Sequence, residues 1–293
     1  MTILVTGASG LKGSLLVARL AATGHPVRAL VRRSDGGKLA STANVEVVEG
    51  DMLRPDTLVP ALRGVDRAML ISSSAPDMLE VQSSFVEAAK RAGVKHLVKL
   101  SGIMPELDSP FRFARMHGEI ERLIEASGLP FTHLRGGEFM HSYFRQTKNI
   151  VEKGALFLPM ENARIASIDV RDIVEVAAQV LTSLGHEGKI YRLTGPEALT
   201  MTEVAERLST VTGKTIRYVN VPPEDVRKAQ LAAGTPLYTV DALAELFAER
   251  RLGKESVVFG DVASLLGRPA TTFDAFAARS ARIFRGEEPP PRV

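Results

Sequence analysis

Not one of the 293 residues is cysteine. That absence excludes disulfides, thiol nucleophiles, cysteine-ligated zinc and iron–sulfur clusters, and it fits a reducing cytosol. Histidine is scarce and scattered. The six stand at positions 25, 96, 117, 133, 141 and 186, with no His-Glu-x-x-His pattern or other tight ligand spacing, so no metal is expected. Charge is nearly balanced. A formal charge of +3 gives no ground for nucleic acid or a membrane surface as a partner. No apolar run approaches the ~20 residues that a membrane span needs. The chain opens on a strand pattern rather than on a basic region, an apolar stretch and a cleavage site. The expectation is a soluble cytoplasmic protein, with monomer and homodimer both left open. Glycine/serine linkers and internal repeats are lacking too. What remains is an ordinary globular composition, 45% hydrophobic and 24% charged, in a length suited to one α/β domain carrying a smaller lobe.

The first half alternates short apolar runs with helical patterns. "TILVTG" reads as a buried strand. "LKGSLLVARLAATG" reads as a helix with Leu15, Leu16, Ala18 and Leu20 inward and Gly24 as its C-terminal cap. Strands follow in "PVRALVR", "VEVVEGD", "RAMLISSS", "HLVKLSG" and "FTHLRGG". Between the last three lie two helices, "MLEVQSSFVEAAKRAG" and the segment from 111 to 127. Strict alternation of strand and helix predicts βαβ units: a Rossmann-type, doubly wound parallel sheet with helices on both faces. Beyond residue 140 the pattern loosens. "GALFLPM", "ARIASIDV", "KIYRLTG" and "TIRYVNV" read as short strands among helices. The expected division is a nucleotide-binding domain over 1–140 and a smaller α/β substrate lobe over 141–293, woven onto the same sheet. "TGPEALTMTEVAERL" places Thr200 or Thr202 as a helix cap with Glu203 in the first turn.

Gly7, Gly10 and Gly13 in "TGASGLKG" lie between the first strand and the first helix. Glycine there lets backbone N–H groups and the helix N-terminus approach a pyrophosphate. Ser9, Leu11 and Lys12 belong to the same turn. The second strand ends in Arg32-Arg33, where a preference for NAD would place an acidic residue for the ribose 2′-hydroxyl. An arginine instead suits a 2′-phosphate, with Lys12 or Arg33 assisting, so NADP(H) is expected over NAD(H). The plainer reading of the two arginines is a solvated rim. Asp51, followed by Met52, either accepts from the adenine amino group or caps the next turn. Ser72, Ser73 and Ser74 end the fourth strand, beside the expected path of the cofactor or simply in a turn.

These residues together resemble the atypical short-chain dehydrogenase/reductases, and specifically the NmrA-like group. The resemblance rests on "LVTGASGLKG", "VEVVEGDMLRP", "VKHLVKLSG", "EASGLPFTHLR", "DVRDIVEVAAQVL" and "KIYRLTGPEALTMTEVA", and spans nearly the whole chain. It implies an oxidoreductase similar to the quinone, azo-dye and triphenylmethane-dye reductases, or a redox-sensing regulator. Typical short-chain enzymes use a Ser, a Tyr and a Lys four residues after the Tyr. Matching the downstream segment puts Ser101 at the Ser position, Phe113 at the Tyr position and His117 at the Lys position.

Phe113 has no proton to give. A ketone wants its oxygen protonated as hydride arrives, and a general acid is worth ~10²–10⁴-fold. A quinone leaves a stabilised phenolate, and a cationic dye is simply quenched, so both tolerate the loss. An azo bond would want a proton from water or from His117. His117 is therefore either a contact to the nicotinamide ribose or a proton source, and Ser101 a second tentative catalytic group; a surface histidine is the bland alternative. Gly136-Gly137 would let the backbone approach the nicotinamide, or only shape a loop. Seven of the sixteen aromatics fall between 111 and 157. Phe113, Phe139, Met140 and Tyr143 would line a flat pocket for a small planar conjugated substrate, or belong to the core. The leading expectation is an NADPH-dependent reductase of quinones, azo compounds or triarylmethane dyes, with direct hydride transfer and neither flavin nor metal. The alternative is a non-catalytic NADP(H) sensor.

Overall fold

A computed structural model describes residues 1–32, 39 and 41–291. Arg33 lies outside the described residues. The chain divides into two compact units. The first comprises Met1–Asp108, Phe113–Arg135 and Ile173–Arg192; the second comprises Ser109–Arg112, Gly136–Asp172 and Leu193–Val293. Among the described residues, no helix is long and apolar enough to cross a membrane.

The first unit runs β1 (Ile3–Val5), α1 (Leu11–Ala22), β2 (Val27–Val31), β3 (Val45–Glu49), α2 (Leu58–Leu62), β4 (Arg67–Leu70), α3 (Met78–Arg91), β5 (His96–Gly102), α4 (Arg112–Ala126) and β6 (Phe131–Gly136). It is completed from far along the chain by α6 (Val170–Thr182) and β8 (Lys189–Leu193). The sheet order is β3-β2-β1-β4-β5-β6-β8. Ile3 pairs in parallel with Val27 on one side and Arg67 on the other. The doubly wound parallel sheet expected from the alternation is therefore present. The strand order reverses between β1 and β4, and beyond the carboxyl ends of such strands an open α/β sheet forms its ligand crevice.

Burial explains these elements. β1 and β4 are buried along their whole lengths, as strands covered on both faces must be. Leu4, Leu30, Leu70 and Leu97 meet Leu58, Leu62, Phe85, Ile120 and Ile124 from the covering helices in one core. α1 buries Gly13, Leu16, Val17, Leu20 and Ala21. Ala18, expected inward, is exposed because the helical period carries it off that stripe. Arg67 is a buried cation in a strand. Its guanidinium donates to the carbonyls of Val180, Leu181 and Ser183, at the C-terminal end of α6, where carbonyls lack partners and the helix dipole is negative.

The second unit holds α5 (Thr147–Lys153), β7 (Ala155–Leu158), α7 (Met201–Thr212), β9 (Arg217–Asn220), α8 (Pro223–Ala232), α9 (Leu237–Arg251), α10 (Asp261–Leu266), α11 (Phe273–Arg279) and α12 (Ala281–Phe284). β7 and β9 pair in parallel, Ala155 with Arg217. "ARIASIDV" forms no strand of its own. It contributes isolated bridges, Ile165 with Leu199 and Ile168 with Phe139. Thr200 closes a full capping box with Glu203 at the start of α7. The core is aromatic: Tyr143, Phe144, Phe247, Phe273, Phe276 and Phe284 gather with Met140 and Met160.

Candidate functional site

The loops after β1 and β4 are fastened together by one hydroxyl. Thr6 Oγ1 donates to the Ile71 carbonyl at 2.7 Å and accepts from the Ile71 N–H at 2.7 Å. Gly7 follows at a φ of +59°, a conformation that side chains disfavour, and a Cβ there would lie 3.0 Å from the Ile71 oxygen. The helix then begins directly beneath the loop. A Cβ on Gly13 would stand 2.2 Å from the Gly7 carbonyl oxygen, so only glycine permits this approach. Gly10 is the N-cap of α1 and offers no side chain, and the first turn contains no acidic residue. The N–H groups that open α1 thus have no side-chain acceptor at the cap. Ser9 and Gly10 are exposed, and Leu11 and Lys12 half-buried. A glycine cradle beneath an uncapped 12-residue helix, positive at that end, is suited to a phosphate.

Other sequence-derived candidates stand at the same edge of the first unit. Arg32 is exposed just past β2. Asp51 accepts the Leu53 N–H at 3.0 Å through Oδ1, the turn-capping role, and Met52 packs against the core. Ser72 Oγ accepts from the buried Gln82 amide at 2.8 Å, while Ser73 and Ser74 are exposed. Arg28, a neighbour of Arg32 in sequence, is occupied structurally: it holds Glu46 and the carbonyls of Ala61 and Arg63.

The middle of β5 carries a group that the sequence reading missed. Lys99 is 0% exposed, and its ammonium donates to Ser101 Oγ at 3.0 Å and contacts His117 Nδ1 at 2.8 Å. Alternation along β5 directs Leu97, Lys99 and Ser101 to the face covered by α4, which brings His117, Ile120 and Ile124 over them. Ser101 and His117, both expected at the site, are thus joined through a lysine. Burial lowers the Lys99 pKa to about 7, with nearby Arg135 lowering it further and Glu121 opposing. Burial also drives His117 well below its ordinary 6.5, and the positive charges of Lys99 and Lys12 add to the effect. His117 is therefore a neutral ring at neutral pH. Its Cδ2 would touch a Cβ on Gly102 at 2.9 Å, so this glycine makes room for the ring. The one available signal was a lysine in the middle of "HLVKLSG", an otherwise apolar strand expected to be covered on both faces.

Phe113, which the resemblance puts at the position of the usual tyrosine, is half-buried and packs against the core of the first unit beside Met116. In the second unit Met140 and Tyr143 are 1% and 5% exposed and stand among core aromatics; Phe139 is half-buried. Tyr143 reaches Ser167 at 3.2 Å, and burial pushes its phenol above the ordinary range, making it a poor acid. The Gly137 N–H is used by the Leu193 carbonyl at 2.9 Å. Folding also draws together residues that sequence spacing keeps apart: Glu121, Glu125 and His133 bring ligand-type atoms within 4.8 Å. The Glu121 carboxylate is already held by Arg135 at 2.6 Å.

Known proteins resemble the chain over most of its length. The model of the NmrA-like family matches residues 1–277. An NAD(P)H azoreductase of Xenophilus azovorans is 37% identical over 282 residues, covering 96% of this chain and 99% of that protein. Quinone oxidoreductase 2 of Escherichia coli (strain K12) is 31% identical over 277 residues, covering 92% of this chain and 95% of its own length. Among solved structures, the triphenylmethane reductase of a Citrobacter species complexed with NADP(H) has a TM-score of 0.86 at 27% identity, covering 96% of this chain and 100% of that one.

Proposed function

The chain belongs to the NmrA-like family, and from that premise we propose that it is an NADPH-dependent reductase of conjugated acceptors such as quinones, azo compounds and triarylmethane dyes. It is an oxidoreductase that binds a nicotinamide cofactor. The observation that carries the reading is the phosphate cradle: Gly7, Gly10 and Gly13 at the uncapped start of α1. It stands at the same sheet edge as a Ser101–Lys99–His117 cluster.

In this reading the backbone from Gly7 to Gly13, with Ser9, Leu11 and Lys12, holds the pyrophosphate, and Arg32 holds the 2′-phosphate. Met52 and the serines from Ser72 to Ser74 flank the adenosine end, and Gly137 remains a candidate neighbour of the nicotinamide. When bound, the reduced cofactor supplies hydride to the acceptor directly, without flavin or metal. The chain's own residues bind, orient and manage the proton. Phe113 supplies none, so acceptors whose reduced anion is already stable are favoured over ketones. Phe139 is the half-buried aromatic proposed to meet a planar substrate.

The test is NADPH consumption, with NADH in parallel, against a quinone, an azo dye, a triarylmethane dye and a simple ketone. Turnover of the conjugated acceptors and not of the ketone is the expected result. Tight NADP(H) binding without turnover of any acceptor would overturn the reading in favour of a nucleotide sensor.

A further inference from the structure

We propose that Lys99 is the positioning residue that makes His117 a proton donor, the two side chains sharing one proton that is delivered from His117 Nε2 at the carboxyl end of β5. The proposal rests on the reductase reading for its use, but the state of the pair is a property of the free protein. Three facts lead to it. Lys99 is completely buried in the middle of a strand, an expensive place for a lysine with only a structural role. Its nitrogen lies 2.8 Å from His117 Nδ1, so an ammonium there leaves Nδ1 as acceptor and puts the ring hydrogen on Nε2. Nε2 in turn lies on the ring edge facing Gly102, 3.5 Å from where a Cβ would stand, at the end of β5 where Ser101 also sits.

The charges around the pair explain why it holds one proton and not two. Lys12 on α1 and Arg135 on β6 add positive potential. Glu121 on α4 is the opposing carboxylate, and it is ion-paired with Arg135 at 2.6 Å. His133 on β6 feels Lys99 and, pushed down to about 4 chiefly by burial, is neutral near pH 7. Two adjacent cations in that field are strongly disfavoured. In use, His117 gives its Nε2 proton to the nitrogen or oxygen anion left when the acceptor has taken two electrons and one hydrogen as hydride. Lys99 passes a proton from Nζ to Nδ1 in the same movement and becomes a neutral amine. The dihydronicotinamide is oxidised, and solvent restores the ammonium. A triarylmethane cation needs hydride alone, so it bypasses the relay.

The experiment uses full-length protein with ¹⁵N-labelled histidine. In the ligand-free protein, ring ¹⁵N shifts should report His117 as the Nε2–H tautomer near pH 7, and Lys99→Met should redistribute the tautomers. In parallel assays at pH 7, Lys99→Met should lower azo-dye turnover by roughly 10²-fold, the lower end of general-acid effects, while triarylmethane turnover stays within about twofold. His117→Ala should behave like Lys99→Met in both assays and serves if that variant does not fold. An Nδ1–H ring in the free protein overturns the inference whatever the assays give. Equal losses on both dyes overturn it in favour of a purely structural lysine. A correct tautomer in a protein that reduces no acceptor removes the relay together with the reductase reading.

Discussion

Replacing Lys99 by methionine has a thermodynamic consequence as well as a kinetic one. Methionine keeps most of the volume and removes the charge. In the native protein burial brings the Lys99 pKa from 10.5 to about 7, whereas the unfolded chain restores the ordinary value. Below pH 7 both states bind the proton, and the folded state carries the whole cost of a buried ammonium, roughly 5 kcal/mol. Between about pH 7 and 10.5 the unfolded state binds more proton than the folded one, so stability rises with pH. Lys99→Met removes that slope. The lost bonds to Ser101 and His117 only offset the curve by a constant. Urea denaturation of both proteins at pH 7 and pH 9 measures it. The stability of the wild type relative to the variant should increase by about 2 kcal/mol over that interval. A difference that does not move with pH would show that Lys99 keeps one protonation state throughout, and the lowering of its pKa by burial would be refuted.

Gly13→Ala should cost at least about tenfold in NADPH affinity, because the new Cβ would meet the Gly7 carbonyl at 2.2 Å; isothermal titration decides it. Arg32→Glu should cut the preference for NADPH over NADH roughly ten- to hundredfold, the value of one charge-assisted contact plus repulsion, read as the ratio of kcat/KM values. Thr200→Ala opens the capping box of α7 and should destabilise the protein by about 1 kcal/mol in urea without changing cofactor affinity.

What could be read before the fold was known followed the range of the physics involved. The glycine cradle and Arg32 lie within one βαβ unit, so local spacing was enough to propose them as candidates. The parallel sheet followed from alternation, since apolar strands and amphipathic helices state their own burial. Lys99 is different. Its meaning depends on α4 returning over β5, which places His117 on it from 18 positions along the chain. Alone, one lysine in a strand signals nothing more than a charge to be hidden. Likewise the aromatic run from Phe139 to Phe144 was plain, but the packing of Tyr143 and Phe144 against Phe273, Phe276 and Phe284 comes from segments more than a hundred residues later. Arg67 also binds helix-end carbonyls at 180, 181 and 183 from more than a hundred positions away, a contact with no local signature.

In the proposed function hydride passes directly from the cofactor to a conjugated acceptor. A triarylmethane cation tests it most directly, because the hydrogen it gains sits on carbon and does not exchange with water. The protein should be incubated with the dye and NADPH deuterated at C4, using each stereoisomer separately, and the leuco product weighed by mass spectrometry. Deuterium is expected in the product from one stereoisomer and not from the other. Leuco dye formed without deuterium from either would mean that the hydrogen came by way of a flavin or solvent. That result would rule out direct transfer, as would the absence of any leuco dye.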